Sequence, residues 1–324
     1  MLPLLAVVVV AAIVVPLLLL AHLNSQLDRV DAFPSGTRPA NTPGTTWLIT
    51  GSDSRAGLSK AQRHALSTGN VPGQRTDTIM LFHVPNNGTP PTLVSLPRDS
   101  LVTIPAHRTK SGKLVPAARN KLNAAFAFGG PQLLVQTVEG ATGLRVDRYL
   151  QIGLGGLVKL VDAVGGITIC PTRTMNDPKA GLYVKPGCQH ADGAKALAYS
   201  RARYSDPLGD LGRVQRQREV VSQIVKRSVG GDMLLHPLRT WQIANAGVQT
   251  VTVDRQFSMF DAWGLAMAMR KLGGPNVVKT TVPIANPGYS VPGIGDTVLW
   301  DRQAALTLFH ELRDNKPVTL PKAG

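Results

Sequence analysis

With 324 residues the chain has room for one large or two small domains, which excludes a protein too small to bury a sizeable core. Its formal net charge of +15 narrows the partners to nucleic acid, anionic lipid, or an acidic polymer or phosphate-bearing substrate, and charge alone does not choose among them.

Residues Leu2 to Ala21 carry no charge and are almost entirely Leu, Val, Ile and Ala, matching the ~20 apolar residues that a membrane-spanning helix needs. An anchor over residues 1–23 is expected. A cleaved signal peptide is the rival, but the apolar run is longer than a usual signal core and ends Leu20-Ala-His-Leu23 without a small-x-small site. No later segment is long and apolar enough to span. Residues 24–45, rich in Pro, Gly, Thr and Asn, are expected as a linker, and residues 46–324 as one extracytoplasmic domain.

That domain opens with a strand, Thr46 to Thr50, running into Gly51-Ser-Asp-Ser-Arg55. The strand thereby carries Asp53 at its C-terminal edge, a usual address for ligand groups in α/β sheets, although alone it reads better as a turn aspartate. After a polar helix near Lys60 to Leu66, Arg75 and Asp77 stand at the entrance of a buried strand, Thr78 to Val84. A third strand, Thr92 to Leu96, ends at Pro97-Arg98-Asp99. Three successive strands thus carry an Asp or Arg at one terminus, a coincidence more informative than any one of them.

Two helical segments follow, Lys121 to Phe128 and Pro131 to Ala141, parted by Gly129-Gly130. Lys121 is within reach of a phosphate there, though a surface lysine is the commoner fate. Tyr149 to Ile152 reads as a strand, Gly155 to Val164 as a helix and Gly165 to Cys170 as the next strand. Their apolar, glycine-rich character fits plain core, the preferred reading, or the wall of a pocket for a lipid chain. The two cysteines, Cys170 and Cys188, flank a loop with Asn176-Asp-Pro178. A disulfide in an oxidising compartment fits them better than a zinc site, with two buried thiols as the alternative. A location outside the cytoplasm makes nucleic acid an unsuitable partner.

The stretch 201–218 is the densest in charge: Arg201, Arg203, Arg213, Arg216 and Arg218 stand against Asp206, Asp210 and the following Glu219. A helix from Gly193 to Arg203 is expected to end there, followed by a Ser205-Asp-Pro-Leu-Gly209 turn. A second helix is expected to open near Gly212 with Asp210 as N-cap, lining up Arg213 and Gln217 at i, i+4. Two helix ends then aim guanidinium forks into one place, and those planar donors suit phosphate oxygens. A solvated helix face is the competing reading, disfavoured by the charge imbalance. Further on, helices are expected over 234–247, 259–272 and 302–312, and a strand over 277–284. Strands alternating with helices make this an α/β domain. There is no P-loop, no His-Glu-x-x-His and no Gly-x-Ser-x-Gly, and the seven histidines are scattered.

Five blocks in order, Gly51 to Arg55, Arg75 to Thr78, Ser95 to Asp99, Lys121 to Ala124 and Arg201 to Gln217, resemble the successive motifs of the LytR-CpsA-Psr family over roughly residues 46–230. The resemblance implies a three-layer α/β/α domain with a mixed central sheet, preceded by one transmembrane helix. It further implies a phosphotransferase that moves a wall glycopolymer (teichoic acid, arabinogalactan or capsule-like) from a polyprenyl-diphosphate carrier to peptidoglycan, with Mg²⁺, Mn²⁺ being an alternative, and an apolar tunnel for the prenyl tail. By the same resemblance Asp53 and Asp77 fall at the acidic positions, where they would hold the metal. Arg75, Arg98, Lys121, Arg201, Arg203, Arg213 and Gln217 fall at the diphosphate-contacting positions, and Asp53, Asp77, Arg98 and Arg203 are the candidate catalytic residues. The cysteine pair and high charge look actinobacterial. Hydrolysis of the diphosphate, or non-catalytic binding of a wall polymer or anionic lipid, are the alternative functions.

Overall fold

The computed structural model describes residues 2–52, 60–66, 76–109, 111–203, 209–228, 236–272 and 277–319, and the side chains of 2–13, 62, 63, 65, 209–211, 214, 239 and 270–272 lie outside what it describes. Its centre is a mixed seven-stranded sheet. Numbered in chain order, the strands are β1 (Asp28–Val30), β2 (Thr45–Ser52), β3 (Thr76–Val84), β4 (Thr92–Ser95), β5 (Arg148–Gly153), β6 (Val251–Asp254) and β7 (Val278–Thr281), in spatial order β1-β6-β5-β2-β3-β4-β7. The pairs β1/β6, β5/β2 and β4/β7 are parallel and the other three antiparallel.

Alternation along the strands sorts the core into two layers, because successive side chains leave opposite faces. Leu48, Ile79, Leu81, Val94 and Tyr149 face one side, under α3 (Leu122–Thr142) and α9 (Arg302–Arg313). Trp47, Ile49, Met80, Phe82 and Leu93 face the other, under α7 (Pro237–Val248), α8 (Met259–Leu272) and the end of α1 (Leu2–Ser25). Helices on both faces make this an α/β/α sandwich. A third cluster gathers α4 (Leu154–Ala163), α5 (Gly193–Arg201) and α6 (Gly209–Ser228) around Ile167, Ile169 and Tyr199. There α4 and α5 approach so closely that a Cβ on Gly193 would strike the Val158 carbonyl, so only glycine opens α5. A short helix, α2 (Lys60–Ala65), lies between β2 and β3.

Several local expectations change. The stretch expected as a linker adds strand β1 to the sheet edge and buries Leu27 and Ala32, since a parallel partner, β6, lies in reach. Residues 165–170 shrink to Ile167–Ile169, which pair with Gln189–Ala191 in a separate two-stranded ribbon rather than joining the sheet. Helix α6 opens at Gly209, ahead of Gly212, which puts Asp210 inside the helix instead of at its N-cap. The expected parting at Gly129-Gly130 holds: both residues leave helical φ/ψ, Gly130 with φ 64°, and Pro131 opens the next helical segment, so α3 is two helices joined at a kink. Among the described residues no helix is long and apolar enough to cross a membrane; in α1, residues Val14, Val15 and Leu17 to Leu20 are exposed.

Candidate functional site

The strand termini that carried acidic and basic residues in sequence meet at one end of the sheet. β2 ends at Gly51-Ser52, β3 opens at Thr76-Asp77 beside it, and the turn after β4 presents Arg98. Across from them stand the end of α5, with Arg201 and Arg203, and the first turns of α6, with Arg213 and Gln217. All six of Asp77, Arg98, Arg201, Arg203, Arg213 and Gln217 line a single cavity of about 380 Å³.

Ion pairs fix the strand side. Arg98 Nη1 donates to Asp77 Oδ1 at 2.6 Å and its Nε to Asp99 Oδ2 at 3.3 Å, while Lys121 Nζ reaches Asp99 Oδ1 at 3.3 Å. Lys121 is therefore tied to the grip through Asp99 and does not itself line the cavity. Both Asp53 and Arg75 lie outside the described residues.

The helix side is held by backbone contacts. Arg216 donates to the carbonyls of Tyr199 and Ala202, so it closes the C-terminal end of α5 where Arg201 stands. Asp177, fully buried, accepts from the Arg203 N–H at 2.7 Å. Glu219 accepts from Tyr199 Oη at 2.8 Å and from the Cys170 N–H at 3.1 Å, linking α6 to α5 and to the strand that carries Cys170, which is joined to Cys188 in a disulfide. Asp177, Lys179 and Asp99 went unassigned at the level of sequence. Asp177 sits in the Asn-Asp-Pro loop that had been weighed only as a disulfide loop, and nothing local links it to Arg203.

Behind this polar end the cavity is apolar. Ile49, Met80, Ile152, Leu154, Leu157 and Leu197 form its wall. The segment 149–169 thus divides: Ile152, Gly153, Leu154 and Leu157 line the cavity, while Val161, Val164, Ile167 and Ile169 are closed core. Thr50, also on the lining, donates to Tyr149 Oη at 3.0 Å, and Tyr149 Oη donates to Gln151 at 2.7 Å. Burial pushes the Tyr149 phenol well above its ordinary range, so it stays a neutral donor. A cationic mouth over an apolar chamber suits a ligand with a phosphate head and a hydrocarbon tail.

Fold and cavity together define a three-layer α/β protein with an arginine-lined pocket at one end of a mixed sheet. The chain belongs to the LytR-CpsA-Psr family: the LytR_cpsA_psr family model matches residues 22–307. It is 47% identical over 291 residues to a Corynebacterium glutamicum protein named "Probable cell wall biosynthesis protein LcpB", covering 90% of this chain and 66% of that one. Over 159 residues it is 41% identical to the polyisoprenyl-teichoic acid–peptidoglycan teichoic acid transferase TagU of Enterococcus faecalis, covering 49% of each. The fold is shared with the LytR-Csp2A-Psr enzyme from Actinomyces oris, at a TM-score of 0.66 and 21% identity over 89% of this chain and 96% of that one. This chain spans between about half and two thirds of the length of these curated relatives.

Proposed function

We propose that this protein is a membrane-anchored, extracytoplasmic phosphotransferase that moves a wall glycopolymer from a polyprenyl-diphosphate carrier onto peptidoglycan. One observation carries the reading: a single cavity joins a cluster of guanidinium groups to an apolar chamber. The chamber takes the first units of the prenyl tail, and Arg98, Arg201, Arg203 and Arg213 hold the diphosphate, with Gln217 as a further donor. A TagU relative named as a teichoic acid transferase supports the reaction class. The exposed apolar residues of α1 support an anchor, and the disulfide supports a location outside the cytoplasm.

Phosphoryl transfer asks little covalent work of a protein and much charge stabilisation. As the acceptor oxygen bonds to the sugar-bearing phosphorus, the bond to the bridging oxygen breaks and negative charge grows on the polyprenyl phosphate that is released, where the arginines neutralise it. Among the described residues no group of three or more His, Cys, Asp or Glu gathers for a metal. Mg²⁺ does not require such a set, because it is commonly held by one or two carboxylates plus substrate phosphates and water. Asp77, on the cavity lining, fits that role, with Asp53 assisting; the ion would supply further neutralisation of the phosphate oxygens. The carboxylate that does not hold the ion would orient or deprotonate the acceptor hydroxyl.

The test incubates the full chain in detergent with a short polyprenyl-diphosphate-linked sugar, Mg²⁺ and uncross-linked peptidoglycan, and reads products by mass spectrometry. A sugar-phosphate adduct on the glycan is expected. Arg203→Ala should lower its rate about 100-fold or more. Because Arg203 is exposed, that variant should keep the wild-type circular dichroism spectrum. Full activity in Arg203→Ala would sink the assignment, and released lipid without an adduct would mark a hydrolase.

A further inference from the structure

Beside the cavity lies a buried cation without the partner that burial demands. Arg218, next to Gln217 on α6, is 8% exposed, and among the described residues it makes no hydrogen bond or ion pair. Lys279, on β7, donates its ammonium to Ser222 Oγ at 2.9 Å, and Ser222 stands one turn beyond Arg218 on the same helix. The Lys279 ammonium is held below its ordinary range by burial and then by the Arg218 guanidinium. Strand register adds a hydroxyl. In the parallel pair β4/β7, Lys279 lies opposite Leu93 and Thr281 opposite Ser95, which puts Ser95 and Lys279 on one face of the sheet. That Ser95 Oγ is buried with no hydrogen-bond partner.

Two like charges, one of them nine-tenths buried, together with an orphaned hydroxyl, are costly in an empty protein interior. An anion rich in oxygens removes the cost. A tetrahedral phosphate meets a guanidinium with two oxygens and leaves others for the ammonium and the hydroxyls, which a carboxylate cannot do in the same space. The position is also informative. Gln217 and Val221, which flank Arg218 along α6, line the cavity, and Ser95 precedes Arg98 by three residues.

We propose that Arg218 and Lys279, with the hydroxyls of Ser95 and Ser222, form a phosphate-binding subsite on the flank of the cavity, distinct from the grip of Arg98, Arg201, Arg203 and Arg213. Its ligand is a phosphate group, either free or within a phosphodiester-linked glycan. The subsite does not depend on the transferase reading.

Thermal unfolding of the full chain in detergent, at constant ionic strength, tests it. Wild type, Arg218→Met and Lys279→Met are each melted in chloride, in inorganic phosphate and in dimethyl phosphate. In chloride, Arg218→Met should be at least as stable as wild type, because it removes an uncompensated buried charge. Saturating phosphate should reverse that order, raising the wild-type Tm by about 4 °C or more beyond any rise in Arg218→Met or Lys279→Met. Equal phosphate-induced rises in all three proteins would overturn the proposal, since binding would then sit wholly in the other grip. Should Arg218→Met fail to fold, Lys279→Met is read in the same way. A rise in dimethyl phosphate as well as inorganic phosphate identifies a diester as ligand, and a rise in inorganic phosphate alone identifies a free or terminal phosphate.

Discussion

Arg38 and Glu139 illustrate how single side chains hold this fold at a distance from the site. Glu139 is 3% exposed and receives Arg38 Nη2 at 2.6 Å, Arg38 Nε at 3.1 Å and the Val146 N–H at 2.9 Å. Removing one partner of such a pair leaves a buried charge, so Arg38→Met should cost about 3 kcal/mol or more in urea unfolding. A loss below that of a surface substitution would mean that water reaches Glu139. His83 makes a second prediction. Its Nε2 meets Asn315 Oδ1 at 2.7 Å and its Nδ1 meets Thr46 Oγ1 at 3.0 Å, and burial lowers its pKa despite the Asn315 bond. Between the depressed native pKa and the unfolded value of about 6.5, the unfolded chain binds more protons than the native one. Stability contributed by neutral His83 is therefore complete above that unfolded value and falls as pH drops through the window. The urea midpoint of wild type should decline with acidification more steeply there than that of His83→Gln; parallel declines would assign the acid sensitivity to other groups.

At the scale of elements, α6 does several jobs with one sequence. Arg213 and Gln217 face the cavity, Arg216 closes the end of α5, Glu219 ties in Tyr199 and the Cys170 strand, and Val220 and Ile224 are core. The arginine run is thus neither a solvated face nor a single grip. Cross-linking Cys170 to Cys188, 18 residues apart, braces the ribbon on which α5 and α6 rest. Chain entropy for a loop of this size predicts that replacing both cysteines, Cys170→Ser with Cys188→Ser, costs about 3 kcal/mol relative to wild type, read as a lowered denaturant midpoint under non-reducing conditions. No change in midpoint would show that the ribbon is held by its hydrophobic contacts alone.

For the whole molecule, the packed domain begins earlier than composition suggests. Leu23, Leu27 and Ala32 are buried, and α1 rests on α7 and α8, with His22 against Trp241 at 5.9 Å between ring centroids. A fragment starting at residue 41 should therefore lose about 3–6 kcal/mol from the two leucines alone, whereas one starting at residue 21 should not. Equal thermal midpoints for the two fragments would contradict that packing. The C-terminal third is equally integral. It supplies β6 and β7 to the sheet and α7, α8 and α9 to its two faces, and closes the chain with Asn315 on His83.

Much of this architecture is written locally. Strands β2, β3 and β5 and helices α8 and α9 were legible because apolar alternation and helical periodicity are short-range properties, set by which residues share a face. Asp77 and Arg98 were legible at the cavity too, since acidic and basic side chains at successive strand ends stay at one edge of any sheet those strands build. Other features needed partners distant in sequence. Strand β1 exists because β6, over two hundred residues later, offers its edge, and Ile167–Ile169 stays out of the main sheet with Gln189–Ala191 as its antiparallel partner. Lys121 is diverted to Asp99, Asp177 is recruited to Arg203, and Arg218 is buried beside Lys279, none of which a local pattern encodes. The sequence by itself determined the element types, the α/β class and the charge gathered at the sheet's end, because those follow from residue chemistry and spacing. Only the tertiary structure decided strand order, the division of the arginines between cavity lining and scaffold, and the meeting of guanidinium groups and apolar side chains in one cavity, because each depends on which distant surfaces exclude water together.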